Sequence, residues 1–231
     1  LSIEADEYGI YAWYGNIDVA TGGAVTINSA YTGIHAYYGD IDVAAGGAVT
    51  INSDDYGIGS EYGDINISGD GEIVIIASDG GIFGRDVTLS NTGDVELKGC
   101  YGIYANKNLS ITDSSSGDIT INDAFTGLYS YSGYTSIQGS GDIKISNSNN
   151  GIYSEYSDIR VSGSGDIEIT SDSNEMYYGI YAKKCCNITD SSSGNITISN
   201  AENAIYSNIS SINLSNSGNI TISDAGNAIY S

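Results

Sequence analysis

The chain of 231 residues contains no proline, a single histidine, a single methionine and a single tryptophan. Without proline every residue keeps a backbone N–H that can pair with a neighbouring strand. Basic residues are also scarce, with seven Lys and Arg against 29 Asp and Glu and a formal net charge of −22. Nucleic acid and anionic membrane surfaces both select a basic face, so neither is an expected partner. No apolar run is long enough for a membrane-spanning helix, and membrane insertion is not expected. Three cysteines give no disulfide framework: Cys100 lies about four repeats from Cys185 and Cys186, and adjacent cysteines rarely pair with each other. Zinc lacks the usual ligand pattern, because the lone histidine is His35 and there is no CxxC pair.

What is present is a repeat. Gly9, Gly33, Gly57, Gly81, Gly102, Gly127, Gly151, Gly179, Ala204 and Ala228 each open a Gly-Ile-Tyr-like step, at separations of 21 to 28 residues, most of them 24 or 25. A fixed period in this range is the mark of a solenoid. Inside one period the apolar residues alternate, as Ile10/Ala12, Ile17/Val19 and Val25/Ile27, which predicts three short strands per turn rather than helices. Gly, Asn, Asp and Ser fill the corners, where left-handed backbone or local side-chain bonding is wanted. Such regular placement of apolar residues separates the chain from a disordered acidic one.

These features predict an all-β chain, residues 1–231 as a single parallel β-solenoid with three strands per coil and about nine coils of ~24 residues. At ~4.8 Å per stacked strand the rod is on the order of 43 Å long. Ile17, Ile41, Ile65, Val87, Leu109, Ile159 and Ile188 read as one inward row, and Val25, Val49, Ile73, Val95, Ile119, Ile143, Ile167, Ile196 and Ile220 as another. Aligning YANKNLSITDSSSGDITI with YAKKCCNITDSSSGNITI instead sets Cys186 in the row of Leu109, with Cys185 facing outward. The fourth residue of each marker is small, from Ala12 and Ala36 to Ser207 and Ser231, and is expected to point inward at a corner. Thr135 stands where isoleucine is usual, a mild defect. The first residues match a third strand and the last a first strand, and neither end shows a polar cap. A segment of a longer chain, or a subunit stacking end to end, is the expectation.

Two columns suggest function. The residue between the two inward positions of the marker strand faces out. It runs Tyr11, His35, Gly59, Phe83, Tyr104, Tyr129, Tyr153, Tyr181, Tyr206 and Tyr230, so that six consecutive coils end in a tyrosine ladder. Trp13, Tyr14, Tyr37, Tyr38 and Tyr62 cluster at the next corner. Aromatic stripes with hydroxyl rims suit mutual stacking, sugar stacking or lateral protein contact. The second column is acidic: Glu72, Asp94, Asp118, Asp142 and Asp166 precede the third strand, giving way to Asn195 and Asn219. Carboxylates ~4.8 Å apart repel by roughly 0.9 kcal/mol in water, and Ca²⁺ held by Asp94, Asp118, Asp142 and Asp166 would relieve this. A solvated acidic edge that discourages wrong pairing is the competing reading, and no other cofactor is expected. The insertion near SDSNEMYY (171–178) is the longest loop and a further candidate surface.

The pattern GIY(A/S)…(D/N)I-x-(V/I)…G-(D/N)-I-x-I, as in GIYSEYSDIRVSGSGDIEIT (151–170), resembles the right-handed parallel β-helix superfamily, the pectate-lyase-like group. Within it the chain resembles repetitive surface and secreted proteins of bacteria. The GGAV copies at 22–25 and 46–49 are similar to the GGA(I/V) step of polymorphic outer-membrane and autotransporter passengers, without the accompanying Phe-x-x-Asn. The resemblance implies a right-handed coil and an extracellular or cell-surface location. Relatives that cleave uronic-acid polysaccharides join an acidic calcium site to a catalytic Arg or Lys. Here Arg85, Lys144 and Arg160 are scattered, so that activity is not carried over. The expected role is a non-enzymatic stalk, adhesin or filament subunit contacting glycan or identical rods, end to end or laterally. A polysaccharide lyase or glycosidase is the alternative.

Overall fold

A computed structural model describes residues 1–112, 117–172, 176–188, 194–215 and 218–231. Most of both ITDSSSG turns and the centre of the 171–178 insertion lie outside the described residues.

The described residues form an all-β solenoid without helix. After β1 (Ser2–Ala5), the first turn consists of β2 (Ile10–Ala12), β3 (Ile17–Thr21) and β4 (Val25–Ser29). Each strand hydrogen-bonds in parallel to its equivalent one coil on, so the chain winds through three sheets. The marker sheet has ten strands, from Ile10–Ala12 to Asn227–Tyr230; the second has nine, from Ile17–Thr21 to Ile212–Leu214; the third has ten, from Ser2–Ala5 to Ile220–Ser223. No helix among the described residues is long and apolar enough to cross a membrane.

Alternation dictates which side chains meet. In Val25–Ser29 the sequence VTINS buries Val25, Ile27 and Ser29 and leaves Thr26 and Asn28 partly open, the period of two a half-buried strand requires. In-register pairing then stacks like on like. Ile27, Ile51, Ile75, Leu97, Ile121, Ile145, Ile169 and Ile198 form one unbroken, fully buried column. Burying each such side chain is worth about 1.5–3 kcal/mol, and only the coils above and below supply the cover. The small corner residues are inside as expected, with Ala36, Ser60, Ala105, Ser130, Ser154, Ala182 and Ser207 fully buried.

Register decides between the two readings of the eighth coil. Cys186 pairs with Ile159 and Ile188 with Val161, so Cys186 occupies the Leu109 row and Ile188 belongs to the next inward row. Cys186 is buried, its thiol pushed up to about 12 by burial and by Cys185; all three cysteines are free. Thr135 is wholly buried, yet its hydroxyl donates to Ser130 Oγ at 2.9 Å, which removes the cost of a polar group in the core. The shortened fourth coil is closed by Arg85, whose Nε and Nη2 each donate to Asp64 at 2.7 Å.

Corner geometry explains the composition. Asp123, Asn147, Asn200 and Asp224, at φ of 57, 54, 59 and 50°, repeat one left-handed position after the third strand, where Asn and Asp are tolerated best among residues with a Cβ. Before the third strand, a Cβ placed on Gly141 would collide with the carbonyl of Gly117, and one on Gly165 with that of Gly141. Here closeness of stacked backbones, rather than φ, demands glycine. Replacing Gly141 with Ala is expected to lower stability by about 3 kcal/mol, and Ala105→Leu by about 1–3 kcal/mol. Chemical denaturation that leaves either midpoint unchanged would contradict this register.

Candidate functional site

The outward residues of the marker strands pair in register as Tyr104, Tyr129, Tyr153, Tyr181, Tyr206 and Tyr230. Successive ring centroids lie 4.7, 5.7, 4.3, 5.4 and 5.2 Å apart, and the last four pairs are within 15° of parallel. Rings stacked this way cover one another's faces, leaving edges and hydroxyls to the solvent. Hence the ladder faces outward but is less open than the sequence suggests: Tyr181 is only 7 % exposed, and Tyr104, Tyr129, Tyr153 and Tyr206 are partly buried.

Part of that cover comes from a second aromatic column that the sequence reading missed. It is made by the residue before the marker glycine, where Tyr8, Tyr56, Tyr101 and Tyr178 stand. Tyr178 leans to 4.8 Å from Tyr181 and 5.4 Å from Tyr206, while Tyr101 stands edge-on to Tyr104 at 5.2 Å. The Tyr-Gly-Ile-Tyr spelling at 8–11, 101–104 and 178–181 was the available signal. Burial is the first cause that raises the phenol pKa values of Tyr104, Tyr129, Tyr153 and Tyr181, with Glu155 adding to it at each.

At the neighbouring corner Trp13 lies flat on Tyr37 (4.5 Å, 4°), Tyr14 on Tyr38 (5.4 Å, 7°) and Tyr38 on Tyr62 (5.3 Å, 16°). This cluster is the more open of the two, with Tyr14 80 % exposed.

The acidic column has a hydrogen-bonding role. Asp118 N donates to Asp94 Oδ1 at 3.0 Å, Asp142 N to Asp118 Oδ1 at 2.8 Å, Asp166 N to Asp142 Oδ1 at 2.7 Å and Asn195 N to Asp166 Oδ1 at 2.6 Å. Asn195 Oδ1 in turn accepts from Asn219 N at 3.0 Å. Each side-chain oxygen thereby satisfies a corner N–H of the following coil. An equivalent ladder, not recognised in the sequence, runs along the corner before the second strand. Asn16, Asp40, Asp64 and Asp86 there accept from the backbone N–H groups of Asp40, Asp64, Asp86 and Asn108. Asn and Asp share this role because it needs only an acceptor oxygen. Among the described residues no group of three or more His, Cys, Asp or Glu side chains is placed to hold a metal ion.

Beside the tyrosine ladder lies a groove of about 350 Å³, lined by Phe125, Tyr129, Asn150, Tyr153, Glu155 and Tyr177 among others. Phe125 O accepts from Asn150 N, and Asn149 O from Tyr177 N, so Phe125 and Tyr177 sit two coils apart on one column. That is about 9.6 Å. Both rings are half exposed, and neither stacks on another ring among the described residues. The sequence reading passed over both, because neither falls on the ladder position.

Comparison of the chain with protein-family models, with characterised proteins and with solved structures finds no match in any of the three.

Two outcomes follow from this chemistry. Asp142→Asn keeps the acceptor and removes a like charge, so thermal stability is expected to hold or rise, whereas Asp142→Ala is expected to cost about 1 kcal/mol. A large Ca²⁺-dependent rise in melting temperature that Asp142→Asn abolishes would instead favour a cation on this row. For the tyrosines, a folded pKa above the unfolded value near 10 means that the fold favours the neutral phenol. The associated stability is complete below pH 10 and is lost as pH rises through the folded values, about 12 for Tyr56 and higher for Tyr129 and Tyr153. Tyrosinate absorbance is therefore expected to show a class of tyrosines that ionises only together with loss of β circular dichroism.

Proposed function

We propose that the chain is a non-enzymatic structural rod of the extracellular space or cell surface, whose marker sheet contacts glycan. One observation carries the reading: Phe125 and Tyr177 are half-exposed aromatic side chains two coils apart along one groove, which Asn150 and Glu155 also line. A pyranose ring lays its apolar face on an aromatic ring and hydrogen-bonds at its rim, and two such platforms suit successive units of an extended chain. Tyr129 and Tyr153 of the ladder line the groove too, but they stack on neighbouring rings, which leaves the unstacked Phe125 and Tyr177 as its platforms. The cell-surface location rests on the resemblance to repetitive pectate-lyase-like surface proteins.

Lateral contact between identical rods is the second reading, favoured by the open corner of Trp13, Tyr14, Tyr38 and Tyr62. A lyase or glycosidase would call for paired carboxylates or a free base in the groove. Among the described residues Glu155 is the single carboxylate lining it, while Arg85, Lys144 and Arg160 are paired with Asp64, Glu168 and Asp158 at 2.7, 3.3 and 3.6 Å.

On a polysaccharide array the protein is expected to bind, and Phe125→Ala with Tyr177→Ala to weaken binding at least about tenfold with the fold intact. Unchanged binding by this double variant, or depolymerisation of any bound polysaccharide, would count against the proposal. Concentration-dependent sedimentation abolished by Tyr14→Ser and Tyr38→Ser would select the second reading.

A further inference from the structure

Along the outward column of the marker sheet one position carries no ring. It is Gly59, paired with His35 on one side and Phe83 on the other. Above it opens a cleft of about 210 Å³. Tyr11, Trp13, His35, Tyr37, Tyr56 and Phe83 supply its aromatic walls, and Asp55 and Glu61 its carboxylates. The rings fall into two sets. Trp13 stacks on Tyr37, and His35 packs 5.6 Å from Tyr11 and 5.1 Å from Tyr8; across the cleft Tyr56 stacks on Phe83 at 4.9 Å.

The wall chemistry is that of a cation host with an apolar rim. Aromatic faces are negative, and a desolvated ammonium bound against several of them gains more than at an open surface. Among the described residues no Lys or Arg lines the cleft. Burial lowers the His35 pKa, so the imidazole contributes a neutral ring at pH 7. Asp55 is held by the Thr32 hydroxyl at 3.0 Å; burial and the neighbouring Asp79 push its carboxyl pKa up, a strain that a bound cation would relieve. A small hydrated metal ion would leave the rings unused. A methylated ammonium uses both rings and carboxylates.

We propose that the cleft over Gly59 binds a trimethylammonium head group of the choline type. This is independent of the glycan groove, which lies several coils away.

Trp13 is the only tryptophan, so its fluorescence reports on the cleft directly. Titration with tetramethylammonium and with choline is expected to give a saturable change, at least about tenfold tighter than with the neutral isostere 3,3-dimethyl-1-butanol. Glu61→Gln should weaken both cations and leave the isostere unaffected. A Cβ on Gly59 would meet only ordinary contacts, 3.5 Å from Tyr56 Cβ and 3.6 Å from Thr32 Cγ2. Gly59→Tyr therefore adds the missing ring, fills the cleft and should abolish binding while melting temperature holds or rises; should it misfold, Gly59→Ala with Glu61→Gln supplies the test. Phosphatidylcholine vesicles form a second arm. Vesicle binding displaced by choline supports a lipid source of the head group, and choline binding without vesicle binding supports a soluble one. No saturable signal with either cation, equal affinity for the neutral isostere, or binding that survives Gly59→Tyr in a folded protein would each overturn the proposal.

Discussion

Everything in this molecule depends on backbone hydrogen bonds between equivalent residues of consecutive coils. Val25 N reaches Ala48 O at 2.8 Å, Ile119 reaches Asp142 at 2.8 Å and Ile196 reaches Asn219 at 2.9 Å, at the same point of each turn. Once that register is set, side-chain alternation turns every position in the repeat into a column. Isoleucine columns become a core, aspartate and asparagine columns become corner ladders, and tyrosine columns become a stacked face. No coil can bury its own isoleucines, so the backbone ladder and the core form together.

Departures from the repeat are met locally. Thr135 in the core finds Ser130; Arg85 bridges a shortened corner to Asp64. Glycine columns stay glycine where one carbonyl passes over the next. The two proposed sites also arise at departures: the glycan groove where Phe125 and Tyr177 stand off the ladder, the cation cleft where Gly59 leaves a ring out.

Strands, sheets and most rows could be read from the sequence because period two and period ~24 are both written in residue identity. Cys186 against Ile188 could not be settled by spacing alone, since both positions are apolar and inward; pairing to Ile159 settled it. The face of the tyrosine column was legible, but not its burial, because ring tilt and cover from Tyr101 and Tyr178 depend on the shape of the face. The aspartate column was visible as a row of charges. Its hydrogen bonding was not, because the donors are backbone groups that carry no letter. The corresponding Asn16-to-Asn108 ladder was overlooked for the same reason, with Asn and Asp mixed along it. His35 and Gly59 stand in the column as departures from tyrosine, and only the surrounding rings of Tyr8, Tyr11, Trp13 and Tyr56 give the opening at Gly59 a shape.

Since the hydrogen bonds that join one coil to the next run close to the rod axis, a mechanical load along that axis meets them end-on rather than in shear. Such a rod yields by peeling. The outermost coil comes away first and releases about 80 Å of extended chain per two dozen residues, while the coils beneath keep their columns. Under tension such a stack lengthens one coil at a time, in steps that follow the coil lengths of 21 to 28 residues, and the load at which it yields is that of a single turn.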